Sequence, residues 1–167
     1  MKCFENYPFW FILVSNAISI FAYLLGLYVI LFFGVVWASL YLIYFLVLEF
    51  RLLNSSCTSC YYYGKLCAFG KGKLCSLFFR KKARKFTDRK ITWFDVLPDF
   101  LVTLIPVFAG IFLLLGSFDL SVLAAIIMLF AITFVGNAFV RGSLACKFCK
   151  QRELGCPAAE LFSKKKK

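Results

Sequence analysis

Between residues 6 and 48 the chain carries no Asp, Glu, Lys or Arg, and the same holds for residues 100–118 and 120–140. A hydrocarbon core about 30 Å thick requires roughly 20 apolar residues in a helix. Soluble domains devote about a quarter of their residues to charge. Here the share is 17%, with 62% of residues hydrophobic and 22 of them Phe. A soluble helical core of this size needs more polar surface than the chain can supply. The sequence therefore predicts an all-α integral membrane protein.

The run from 6 to 48 would be about 65 Å long as a single helix, twice what a bilayer needs, so it is read as two spans. Gly26, between Leu25 and Leu27 and flanked by Tyr23 and Tyr28, suits an interfacial turn. This places the first helix at 8–25 and the second at 29–51, with Gly34, Ala38 and Ser39 as a small-residue packing face. Lys2 gives only a minimal basic start, and no small-x-small site ends the run, so it is read as a span and not a cleaved leader. Trp93 to Pro98 leads back to the membrane. The third helix is placed at 97–116, with Pro98 at its start and a kink expected at Pro106. A polar turn over Gly116, Ser117, Phe118 and Asp119 precedes a fourth helix at 120–141, where Ala124, Ala125, Ala131 and Gly136 form another small-residue face. Between the hairpins, residues 74–90 are strongly basic. Leu74 to Phe86 reads as an amphipathic helix lying in the headgroup plane, with Leu74, Leu77, Phe78 and Phe79 opposite Arg80, Lys81, Lys82, Arg84 and Lys85.

All 20 Lys and Arg residues fall in three segments: one in the N-terminal lead, 11 within 51–92 and eight from Arg141 onward. Four spans put these three segments on one face. Basic short loops stay cytoplasmic, so both termini are expected there.

The same face carries all eight cysteines, and six of them form one pattern written twice. Cys57, Cys60 and Cys67 read C-x2-C-x6-C, and so do Cys146, Cys149 and Cys156, 89 residues later. Each copy follows a helical hairpin. The chain thus reads as a parallel internal repeat within one membrane domain, with repeat 1 at about 8–75, repeat 2 at about 93–156 and a basic tail at 157–167. A pseudo-twofold axis along the membrane normal would relate the halves.

Cytoplasmic thiols are kept reduced, and paired C-x2-C there points to metal more than to disulfides. Two intervening residues let a tight turn aim both thiolates at one ion, and a third ligand closes the far side. Tetrahedral zinc takes four ligands, with sulfur at about 2.3 Å. Each knuckle supplies three. The simplest assignment adds Cys75 to Cys57, Cys60 and Cys67, and Cys3 to Cys146, Cys149 and Cys156. A shared site fed by both knuckles is the rival arrangement. Structural zinc is the leading expectation and an iron–sulfur cluster the alternative, since both accept four cysteines. With no histidine in the chain, Cys–His zinc and histidine-ligated haem are excluded. Lys65, Lys71, Lys147 and Lys150 could offset thiolate charge, although enforcing topology is reason enough for them.

Other motifs carry less. Gly64 to Lys73 looks like a phosphate loop but has five residues between its first two glycines and no hydroxyl after the lysine, so it is read as knuckle backbone. Asp95 and Asp99 share a helical face. A helix-capping role for Asp95 is favoured over paired acid–base chemistry. Interfacial ion pairing is expected of Glu49 and Arg51, and interhelical hydrogen bonding of Asn16 and Asn137. No charge falls in the middle of a span, which leaves an ion pathway without a carrier. The basic segments and the Lys164–Lys167 tail fit anionic headgroups better than nucleic acid.

The four-span outline with C-x2-C pairs resembles, in topology only, the membrane disulfide oxidoreductases that pass electrons to quinone. In that family the working cysteines face the oxidising side, opposite to the face that charge assigns here. The expected function is a scaffold or accessory subunit of a membrane complex, joined by a protein partner or a second copy of itself. No catalytic constellation is evident. Membrane redox chemistry by iron–sulfur or dithiol groups is the alternative.

Overall fold

The computed structural model describes residues 3–83, 86–89 and 91–159. Among them, four helices are long and apolar enough to cross a membrane. These are α1 (Phe9–Leu31), α2 (Val35–Ser55), α4 (Trp93–Gly116) and α5 (Leu120–Ala145). A short helix, α3 (Lys71–Phe78), lies between the hairpins, and a single turn, α6 (Lys150–Glu153), follows α5. Most of the apolar surface of the long helices points outward: Phe94, Phe108, Phe112 and Leu115 on α4 are all largely exposed, as are Val35, Val36 and Trp37 on α2. A soluble monomer rarely shows contiguous apolar area on this scale.

Helix α1 packs against each of the other three long helices, α4 packs against α1, α2 and α5, and the bundle is built around the α1–α4 contact. That contact explains the first boundary correction. Gly26 is not a turn. It lies inside α1, where a Cβ would come within 2.4 Å of the Tyr41 hydroxyl and 3.3 Å of Pro106. The glycine permits close approach, and Tyr41 uses that room to donate to the Val102 carbonyl at 2.8 Å. The turn is instead at Phe32, Phe33 and Gly34. Gly34 has φ 108°, a conformation that a residue with a Cβ rarely adopts, so it joins the helices and is not part of a packing face.

The third span begins earlier than expected, at Trp93. Thr92 and Asp95 form a capping box in which the Asp95 carboxylate accepts from the Thr92 backbone N–H at 3.0 Å. Pro98 therefore sits inside α4. Helix α5 extends past Arg141 to Ala145, but with two widened π-helical stretches, Ile132–Gly136 and Val140–Ala145. The amphipathic helix expected over Leu74 to Phe86 stops at Phe78. Phe79 is extended, and Lys82 turns back to the first knuckle, donating from its backbone to Thr58 at 3.1 Å and from its ammonium to the Asn54 carbonyl at 2.8 Å. Consecutive like charges weaken a helix, and these tertiary bonds offer the chain an alternative. The Lys164–Lys167 tail lies outside the described residues.

Candidate functional site

The two cysteine knuckles lie side by side at one end of the bundle, and the N-terminal lead runs between them. Phe4 makes a parallel bridge with Cys149, its N–H donating to the Phe148 carbonyl at 3.1 Å. On the other side, Tyr7 donates from its backbone to Leu66 at 2.9 Å, and Leu66 donates to the Asn6 side chain at 3.1 Å. The lead thus joins the first knuckle to the second, beside a buried aromatic cluster of Tyr7, Phe11 and Tyr62 with Phe4 and Phe148 against it.

Tyr62 is the central tie. It is 2% exposed, donates its hydroxyl to the Phe4 carbonyl at 2.6 Å, and accepts from the Lys150 backbone at 3.0 Å. One oxygen therefore holds the lead, the first knuckle and the second. Buried Gln151 adds a second tie, accepting from the Tyr61 N–H at 2.8 Å and donating to Gly155 at 3.0 Å. Tyr7 donates to the Ala145 carbonyl at the end of α5. Sequence reasoning missed these three residues as organisers. Only Tyr62 had a signal in the sequence: a Tyr-Tyr-Tyr run inside a cysteine loop is too apolar to be left solvated.

Cys57 lies within electrostatic range of Cys60, Cys67 and Cys75. Cys75 is fully buried, and its thiol donates to the Leu53 carbonyl at 3.4 Å. The Cys67 sulfur accepts from Gly72 N–H at 3.4 Å. Cys60, Cys67 and Cys149 pack against the same buried aromatic cluster, and Cys60 lies within electrostatic range of Cys149, Cys67 and Cys156. Cys146 and Cys156 in turn act on Cys149. Cys146 is exposed at the end of α5. Cys3 is carried by the lead to the second knuckle, beside Glu153, which raises its thiol. Among the described residues, no group of three or more Cys, Asp or Glu side chains is arranged to hold a metal ion.

Desolvation pushes the Cys60 thiol up to about 11, and it also raises Cys149. At neutral pH these are thiols and not thiolates, which makes them poor nucleophiles for exchange chemistry. The lysines do not correct this. Lys65 pairs with Glu5 at 3.3 Å and lies over the Tyr61 ring, Lys71 pairs with Glu49, and Lys147 lies over Phe148. The remaining charged candidates separate. Arg51 pairs with Asp95 at 3.4 Å and not with Glu49, while Asp99 sits deeper on α4. Asn16 donates to Ile12 within its own helix and to Phe69 of the first knuckle at 3.2 Å. It anchors the loop above it and does not bridge helices.

Comparison with known proteins finds no family model, no curated protein and no solved structure that this chain matches.

Proposed function

We propose that the protein is a membrane scaffold whose two cysteine knuckles share one soft-metal site, zinc being the ion best suited to it. The observation that carries this reading is that Cys60 and Cys67 of the first knuckle and Cys149 of the second pack against one buried aromatic cluster, with Cys156 within electrostatic range of Cys60. These four are the second and third cysteines of each copy of the pattern, so a two-fold arrangement of the halves would supply four thiolate ligands to one ion. Cys57, Cys75, Cys146 and Cys3 would stand around it. A divalent ion supplies the charge that deprotonates a coordinating thiol, which overcomes the desolvation holding these groups neutral. Binding asks the two knuckles to draw closer, and it would fasten together the halves of the repeat. An accessory role beside a protein partner or a second copy fits a chain of this size. The positive-inside rule puts the cysteine-bearing end and both termini in the cytoplasm, with the basic segments against anionic headgroups.

Metal analysis of protein purified without oxygen tests the reading. About one zinc per chain is expected, lost on Cys60→Ser and on Cys149→Ser and kept on Cys75→Ala and Cys3→Ala. About two zinc per chain, sensitive to Cys75→Ala and Cys3→Ala, would instead support separate sites in each knuckle. Stoichiometric iron and sulfide would move the protein to electron transfer. Cysteines that bind no metal would end the proposal, and so would knuckle cysteines labelled by an impermeant thiol reagent from outside intact cells.

A further inference from the structure

Beneath the knuckles, α1, α2, α4 and α5 enclose a cavity of about 200 Å3. Thr103 and Thr133 line its deep end, their hydroxyls 3.4 Å apart, and Phe69 and Lys71 of the first knuckle close its top. Its walls carry four charged side chains from four parts of the chain: Glu49, Lys71, Asp99 and Arg141. Asp99 lies about 9 Å along α4 from Trp93, and Arg141 about 6 Å before the end of α5. Ionisable groups set this far into membrane helices are costly, and they mark functional sites by default.

The four are not used alike. Glu49 is satisfied, accepting from the Tyr23 hydroxyl at 2.9 Å and pairing with Lys71. Asp99 and Arg141 are not. Arg141 is the cation acting most strongly on Asp99, ahead of Arg51, yet among the described residues no ion pair joins them. Both are exposed, on neighbouring helices, so a ligand can reach them from outside the bundle. The two π-helical stretches of α5 flank Asn137, and this wall carries Thr133, Asn137 and Arg141. Such widened turns recur at functional sites.

We propose that this cavity binds a compact zwitterion, its primary ammonium on Asp99 and its oxyanion on Arg141. The lining is charge-balanced, with two carboxylates and two cations. A simple anion would leave Asp99 without a partner, and a simple cation would leave Arg141 without one. A ligand carrying both charges a few atoms apart satisfies both, and the hydroxyls and amide of Thr133 and Asn137 can complete its hydrogen bonds. Two sources have this chemistry: the headgroup of an aminophospholipid entering from the adjacent leaflet, and a small soluble zwitterion. The inference is independent of any metal at the knuckles.

The full chain in nanodiscs tests it. In the lipid arm, native mass spectrometry compares retention of phosphatidylethanolamine, phosphatidylcholine and phosphatidylglycerol. In the soluble arm, calorimetry on the chain in phosphatidylcholine nanodiscs compares glycerophosphoethanolamine and glycine with glycerophosphocholine and inorganic phosphate. We expect at least tenfold preference for the primary-ammonium zwitterion in one arm, and that arm identifies the source. Asp99→Asn and Arg141→Gln should each abolish the preference while α-helix content is kept. If either variant fails to fold, Ala22→Leu, which fills the cavity and leaves its charges, should abolish it instead. No preference in either arm, equal retention of phosphatidylglycerol, or a preference that survives in folded Asp99→Asn or Ala22→Leu would overturn the proposal.

Discussion

The two knuckles share a cysteine spacing and differ in what holds them. The first is built largely from its own residues. Thr58 is buried and donates to Asn54 at 2.8 Å, Gly64 donates to Gly72 at 3.0 Å, Lys65 to Tyr62 at 2.9 Å, and Gly70 to Cys67 at 2.9 Å. Helix α3 follows at once and buries Cys75. The second knuckle closes on itself through the single turn of α6, with Arg152 donating to Cys149 at 3.1 Å, Gly155 (φ 101°) to Arg152 at 3.3 Å and the Gln151 side chain to Gly155 at 3.0 Å, and no further helix follows it among the described residues. Its remaining support comes from elsewhere: Phe4 on Cys149, Tyr62 on Lys150 and Tyr61 on Gln151. Identical cysteine spacing therefore does not imply identical local stability. The first knuckle is a template and the second is docked on it, so damage should spread from first to second and not the reverse.

The largest effect expected from this asymmetry is at Gly72. A Cβ there would lie 2.1 Å from the Tyr62 carbonyl oxygen and 2.6 Å from that of Lys65, and both atoms are backbone. Gly72→Ala must push apart the loop that presents Tyr62, and we expect it to cost about 3 kcal/mol or more, at the upper end of overpacking effects. At Gly142, near the second knuckle, a Cβ would meet nothing within 4 Å. Gly142→Ala should stay within about 0.5 kcal/mol of the parent. Unfolding in mixed detergent micelles measures both, and equal costs would remove the template from the account.

A smaller effect is expected from Tyr62→Phe, which keeps the ring and removes the oxygen. It leaves the Phe4 carbonyl and the Lys150 N–H without their partner, for a cost of about 1–3 kcal/mol. The informative readout is where the damage lands. Alkylation of Cys149 and Cys156 should accelerate while Cys75, fully buried under α2, stays protected. Equal acceleration at Cys75 would mean that the two knuckles open together.

This dependence marks the limit of what was legible in the sequence. Charge-free runs announce four spans, because a single Lys or Glu in a span is expensive and its absence over 43 residues is hard to mistake. The place where one run folds back was not legible. Gly26 and Gly34 look alike in sequence, and only the position of Tyr41 across the bundle shows that the first makes room while the second turns the chain. The basic helix failed past Phe78 for a similar reason, since its amphipathic pattern competes with bonds from Lys82 to Asn54 and Thr58 that no local window contains. The charged cavity was hidden because its residues are spread over separate segments. Its one sequence signal was the stripe Thr133, Asn137, Arg141, three polar residues at intervals of four on an otherwise apolar helix.

The smallest expected effect concerns pH, and it separates the knuckles again. The Cys60 thiol is held up to about 11 in the fold, chiefly by desolvation, against an ordinary 9.0. A group whose folded value is raised favours the folded state fully below its unfolded value, and loses that contribution as pH climbs through the folded value. In metal-free protein, where Cys60 keeps its proton at neutral pH, stability should therefore be flat from pH 6 to 8 and decline from about pH 9 to about pH 11. Lysines and tyrosines also titrate there, so the measurement is a difference between parent and Cys60→Ala. The variant should decline less steeply in that window. Cys149→Ala on the second knuckle should flatten the slope less, because at Cys149 two backbone N–H groups, of Arg152 and Gln151, offset desolvation, where at Cys60 only that of Tyr62 does. Matching slopes for the two variants would show that the docked knuckle is as well shielded from water as its template, and the asymmetry would then lie in hydrogen bonding alone.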